Sequence, residues 1–211
     1  AVAAQAHATH EVVGPGESKS IGSGETVKDW ALLKGSALTV NGATTGAIHG
    51  IGAQLTVNSA STIERIVAQE GSTVTIGGAT VKFDGANAAA MELTDGVATI
   101  SGSHLEGTQS IGLVLNTYGG GASGSRADVF DSTIKGAQAG ALAHCATQGD
   151  GAGARAQAQG LGAVDRSRHH NVACPSAGGD GEVVGQSQAA AQRHIAVGRA
   201  QGAGSRNSHG A

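Results

Sequence analysis

Ser72-Thr73-Val74-Thr75-Ile76-Gly77-Gly78 places apolar residues at alternate positions and closes on a pair of glycines. The phrase returns as Ser-Ala-Leu-Thr-Val-Asn-Gly at 36 to 42, Gln-Leu-Thr-Val-Asn-Ser at 54 to 59, Val-Ala-Thr-Ile-Ser-Gly at 97 to 102 and Ala-Asp-Val-Phe-Asp-Ser at 127 to 132. With one anchor per copy, Ile21, Val40, Val57, Ile76, Ile100 and Phe130, the separations are 19, 17, 19, 24 and 30 residues. Such steps suit one turn of a coil, and their unevenness suits coils that carry loop insertions. This is the signature of a parallel β-helix.

A strand of four or five residues cannot bury its apolar side alone. Stacked on its copies at roughly 4.8 Å per step, it pairs its backbone above and below, and the inward side chains form a continuous ladder. Period-two alternation predicts that Leu38, Val40, Leu55, Val57, Val74 and Ile76 point inward. Thr39, Thr56 and Thr75 then face solvent, where β-branched residues still favour the strand. A second strand follows the turn, with Val81 and Phe83, then Leu105, then Ile134. A third apolar segment closes each coil: Ile48 and Ile51, Ile66 and Val67, Met91 and Leu93, then Ile111, Leu113 and Leu115.

Composition points the same way. Aromatic residues make up 2% of the 211, and Trp30, Phe83, Tyr118 and Phe130 are the whole set, too few for a conventional compact core of this length. There are 36 glycines, which a coil needs at its corners. No segment approaches the ~18 apolar residues of a membrane helix. A net charge of −3 gives no electrostatic reason to expect nucleic acid as a partner. The opening Ala-Val-Ala-Ala-Gln-Ala-His-Ala fits either the remnant of a signal-cleavage site, and hence an exported chain, or an Ala-rich terminus.

Composition breaks near residue 140. Lys19, Lys28, Lys34, Lys82 and Lys135 lie before it, whereas the remainder has six Arg and no Lys. All four aromatics and nine of ten Ile precede the break; both Cys and five of nine His follow it. Arg, Ala, Gly, Gln and His replacing Lys, Ile and Thr is what a GC-rich gene yields in a wrong frame. The sequence therefore divides into an N-terminal segment over 1–16, a β-helix over 17–140 and a low-complexity or non-native tail over 141–211, whose Gly, Ala and Gln offer little apolar surface with which to order.

Motifs in the tail are weak. His144, Cys145, His169, His170 and Cys174 are zinc-ligand types, but their spacing does not match compact tetrahedral sites, so no metal is expected. A Cys145–Cys174 disulfide is compatible with export. Gly178-Gly179-Asp180-Gly181-Glu182-Val183 has Val183 where a calcium-binding nonapeptide needs Asp, and Gly149 to Gly153 lacks the apolar strand that precedes a phosphate loop. No cofactor is predicted.

Apolar residues flanking Thr, then Asn-Gly or Gly-Gly, a second strand such as Ala79-Thr80-Val81 and a run ending as at Gly112-Leu113 resemble the passenger domains of pertactin-type autotransporters. The resemblance covers about residues 17 to 140 and rests on pattern. It implies a right-handed, all-β parallel β-helix of about six coils, exported to the outer-membrane surface or beyond. It also implies an adhesin or host-interaction role toward a host protein or cell surface, and a C-terminal outer-membrane β-barrel, of which this sequence shows no strands. There is no Arg-Gly-Asp triplet.

The alternatives are a β-helix glycan-active lyase or hydrolase fragment, or a truncated product without function. Such enzymes place carboxylates at equivalent positions of adjacent coils. Asp84, Asp95, Asp128 and Asp131 occupy non-equivalent positions, and His49 and His104 read as solvated turn histidines without acidic neighbours, so no catalytic residue is assigned. Recognition is expected in the insertions at Asp84 to Ala90 and Asn116 to Arg126. Asn116, Tyr118 and Arg126 are the candidate ligand-binding residues, with Tyr118 foremost because its ring is flanked by glycines.

Overall fold

The computed structural model describes residues 9–117, 124–146, 155–157, 169–173 and 186–188, with side chains over 10–117 and 124–142. It is an all-β parallel solenoid whose coils have three faces. Face one stacks β2 (Ser18–Gly22), β4 (Ala37–Asn41), β6 (Gln54–Val57), β8 (Thr73–Gly77), β11 (Val97–Ser101) and β14 (Arg126–Phe130). Face three stacks β1 (Thr9–Val13), β3 (Lys28–Leu32), the second halves of β5 (Thr44–Ile51) and β7 (Thr62–Gln69), then β10 (Ala89–Thr94), β13 (Ile111–Thr117) and β16 (Ala139–Ala146). Face two is the first halves of β5 and β7 followed by β9 (Thr80–Phe83), β12 (His104–Gly107) and β15 (Thr133–Gly136). The parallel winding thus begins at Thr9 and runs to Ala146, beyond the 17–140 expected at both ends.

The predicted column is present: Ile21, Val40, Val57, Ile76 and Ile100 are register partners in turn, each buried. Thr39 and Thr56 lie half-buried and Thr75 exposed on the opposite side of the same strands. Two details differ from the sequence reading. The sixth rung is Val129, 1% exposed, because Ile100 pairs with Val129; Phe130 pairs with Ser101 on the outside and is 37% exposed. Choosing the larger apolar residue placed the anchor one position off, and period two turns that slip into the wrong face. Also, six strands on face one define five full turns rather than six coils.

The other faces supply the rest of the core. On face two, Thr45, Ile63, Val81, Leu105 and Ile134 form the inward column. On face three, Trp30, Ile48, Ile66, Met91 and Leu113 stack in register and are buried. Ile51, expected to help close its coil, is 42% exposed beyond the end of that column.

From the second coil on, both corners bordering face one use one device: a residue with positive φ followed by a small buried one. After face one these are Gly42 then Ala43, Ala60 then Ser61, Gly78 then Ala79, Gly102 then Ser103, and Asp131 then Ser132. Before face one they are Gly35 then Ser36, Gly52 then Ala53, Gly71 then Ser72, and Gly124 then Ser125. The turn needs the left-handed conformation that glycine adopts without steric cost, and the crowded inner corner admits only Ala, Ser or, after Asp95, Gly96, where a Cβ would lie 2.8 Å from the Ser72 carbonyl. Ser61, Ser72, Ser103, Ser125 and Ser132 bridge coils through the hydroxyl, whereas Ser36 Oγ is buried without a hydrogen-bond partner among the described residues. Ser61 Oγ accepts from Gly42 N at 3.0 Å, Ser103 Oγ from Ala79 N at 3.2 Å and Ser132 Oγ from Ser103 N at 3.0 Å.

Two of the inward columns open on a charged side chain, beside columns that open on buried Ile21 and Val13. Glu11 is the register partner of Trp30 and Lys19 of Leu38, so each of these inward columns opens on an ionised residue. Glu11 pairs with Lys19 and, at 2.5 Å, with Lys28. The two ammonium groups sit 4.9 Å and 5.9 Å from the centre of the Trp30 ring. At the other end, β18 (His169–Ala173) pairs antiparallel with β14 and with β19 (Gln186–Gln188), while β17 (Arg155–Gln157) pairs antiparallel with β16. The described strands of the tail therefore extend the sheets without continuing the parallel winding.

Candidate recognition surface

A polar seam crosses the outside of face three. Val67 is the register partner of Glu92, and Glu92 of Val114, so Arg65, Glu92 and Asn116 each lie one coil on and two residues along from the last. This diagonal brings side chains 24 and 27 residues apart in sequence into contact. Arg65 Nη2 donates to Glu92 Oε2 at 3.1 Å, and Asn116 Nδ2 donates to Glu92 Oε1 at 3.0 Å. Glu92 is thus held at both oxygens. Arg65 also donates from Nε to the Ala89 carbonyl at 3.2 Å, and its guanidinium lies 5.4 Å from the centre of the Phe83 ring.

Below the seam, Asp29 Oδ1 accepts from Ala47 N at 2.8 Å, in the space a side chain on Gly46 would need. His49 projects from the outer side of the same strand. Its ring reaches solvent, yet desolvation where it lies on the sheet, followed by the Arg65 guanidinium, lowers its pKa below the ordinary 6.5, with Asp29 and Glu92 acting in the opposite sense. His49 therefore has acidic neighbours, contrary to the sequence reading. So does His104, whose Nε2 is 3.4 Å from Glu106 Oε2, while Lys82 of the preceding coil reaches the same carboxylate at 3.6 Å. Residues two apart in one strand share a face, and the coil below adds a third group; both relations follow from the register, which spacing alone did not supply.

Of the expected ligand-binding residues, Asn116 closes the seam, and its carbonyl oxygen accepts from Ser125 Oγ at 2.5 Å. Arg126 opens β14 and holds Asp128 in its own strand, through Nε at 3.3 Å and Nη2 at 3.0 Å. Tyr118 lies outside the described residues, as do 1–8, Cys174 and the other motif residues between 174 and 185. Asn116 and Arg126 flank the same insertion but make separate intramolecular pairs.

The other insertion is fastened down. The backbone N–H of Thr108 donates to the Phe83 carbonyl at 2.9 Å, and Gln109 Nε2 donates to the Asp84 carbonyl at 3.0 Å. Gln138, from the last coil, reaches the Ala86 and Gln109 carbonyls at 3.4 Å each. Hydrogen bonds from Thr108 and then Gln109 lower the pKa of the exposed Asp84 carboxylate. Among the described residues no three His, Cys, Asp or Glu side chains converge to hold a metal ion, and no helix is long and apolar enough to cross a membrane. Asp84, Asp95, Asp128 and Asp131 fall after β9, between β10 and β11, within β14 and after β14, which gives no aligned set of carboxylates. Compared with known proteins, the chain matches no family model, no curated protein and no solved structure.

Proposed function

We propose that this chain is part of an exported autotransporter-type passenger of the pertactin kind, a rigid solenoid that presents an adhesive surface to a host protein or cell. The observation that carries this reading is the Arg65–Glu92–Asn116 seam, which runs along a stiff sheet into the insertion at 117–125. Loops held on a rigid scaffold are where binding residues concentrate. Mutual pairing keeps the seam groups oriented.

Binding of the full chain to cultured epithelial cells, compared with a double variant Asn116→Ala, Arg65→Ala, tests the adhesive role. Saturable binding by the native chain that weakens at least tenfold in the variant is expected; equal binding by both, or none by either, overturns it. The passenger assignment has its own test in the genomic DNA downstream. A frame encoding alternating ~10-residue strands supports it, and the absence of such a barrel refutes it.

A glycan-active enzyme is the second reading, favoured by the His104, Glu106 and Lys82 cluster on face two. Release of reducing or unsaturated ends from polysaccharides, lost in His104→Ala, is the result that selects it.

A further inference from the structure

Face one carries a regular, uncharged outer surface that the adhesive role does not use. Ser20, Thr39, Thr56, Thr75 and Thr99 are successive register partners, so five hydroxyl side chains form one straight column, one per coil. Strand spacing repeats the column at roughly 4.8 Å, and the next outward position along each strand lies about 6.7 Å away. From Ser18 to Ser101 every outward residue of this face is Ser, Thr, Asn, Gln, Gly, Ala or Val; charge appears only at Arg126 and Asp128, which pair with each other.

Among the described residues, none of the Thr39, Thr56, Thr75 or Thr99 hydroxyls has a protein hydrogen-bond partner. Threonine's branched Cβ restricts χ1, so each hydroxyl and methyl is set in place before any partner arrives. The face holds no aromatic ring before Phe130 on which a sugar could stack. Five strands of four or five residues present on the order of 400 Å² by these spacings, about half the ~800 Å² that each side of a stable protein complex contributes.

We propose that face one binds a crystalline water lattice and that the chain has ice-binding activity. The oxygen lattice on a prism face of hexagonal ice repeats at two spacings close to those of the threonine column and of alternate residues along the strand. Hydroxyls and methyls at that pitch hold first-layer water in lattice positions, and an uncharged, pre-ordered surface does not disrupt that layer. Face two supplies the internal comparison. Its outer column of Thr44, Thr62, Thr80, His104 and Thr133 is also rich in threonine, but lies beside Lys82, Glu106 and Lys135.

The experiment measures ice-recrystallisation inhibition and thermal hysteresis on the full chain, on T75K and on T62K, with circular dichroism to confirm folding. The native chain is expected to restrain crystal growth, T75K to need at least tenfold more protein for the same effect, and T62K to match the native chain. Should T75K lose its β spectrum, T99K is read in its place. Native protein no more effective than albumin, or T62K as impaired as T75K, overturns the proposal. Retention on crystalline cellulose that T75K abolishes, with ice growth unaffected, also overturns it and assigns the face to a solid polysaccharide.

Discussion

Glu11 and Lys19 open two different inward columns of the solenoid, one on face three and one on face one, and pair with each other across its first turn. Lys28 joins them, and the three side chains lie against Trp30, the largest buried residue. In these two columns the hydrophobic side chains of the later coils give way, at the first rung, to an ion cluster that can meet water.

Glu11→Gln leaves two ammonium groups beside one another without their carboxylate. Because the side chains are about a third exposed, solvent screening limits the loss to about 1 kcal/mol. Thermal unfolding at low and high salt checks this: the deficit is expected at low salt and should shrink at high salt. A salt-independent deficit shows that packing on Trp30, not charge, is what Glu11 supplies.

Val57→Asp places a carboxylate in a fully buried apolar column and should cost about 4 kcal/mol or more, enough to unfold the chain. Thr56→Asp, one position away on the outer side, should stay within about 1 kcal/mol. Urea denaturation of both variants is the measurement. Similar midpoints for the two contradict the alternation on face one.

Gly112 and Gly22 separate two uses of glycine at ordinary backbone angles. A Cβ on Gly112 would lie 2.5 Å from the Lys135 carbonyl and 2.7 Å from that of Gly140, whereas one on Gly22 meets only the Asn41 carbonyl at 4.0 Å. Gly112→Ala should destabilise by about 1–3 kcal/mol through overpacking, and Gly22→Ala by no more than about 0.5 kcal/mol. Calorimetric midpoints decide, and equal shifts count against the close approach at Gly112.

His49 should titrate below the ordinary 6.5, and Arg65→Gln should raise its midpoint by removing the second largest cause of the shift. A base whose native pKa is lowered takes up its proton more readily in the unfolded chain. Its contribution to stability is therefore full above 6.5 and declines as pH falls from there through the native midpoint. NMR titration of the ring protons, with stability of His49→Gln measured over the same range, tests both statements.

Face one was legible in the sequence because its strands alternate strictly and end in residues that adopt positive φ at no steric cost, such as Gly42, Gly78 and Gly102. Val129 was missed by one position, since side-chain size was allowed to outweigh parity. The division between faces two and three was legible in the later coils, where Val81, Leu105 and Ile134 form a second strand apart from the third segment, but not in the first two: β5 and β7 run through the bend as single eight-residue strands, and nothing at Glu64 or Arg65 signals a turn. The seam was hidden for a related reason. Arg65 and Glu92 are 27 residues apart, and only the register of β7 on β10 shows that they face one another. The fastening of the 84–88 excursion by Gln109 and Gln138 was equally invisible, because it depends on which coils stack next to it.

From the second coil on, each corner beside face one is closed by two consecutive residues, and the corner serines that form hydrogen bonds reach only their own coil or an adjacent one. No corner depends on how many coils lie above or below it. A duplication or deletion of one coil's worth of DNA therefore lengthens or shortens the rod by a single rise without a compensating change elsewhere. Reach becomes a trait that selection can adjust in whole steps, separately from whatever the faces bind.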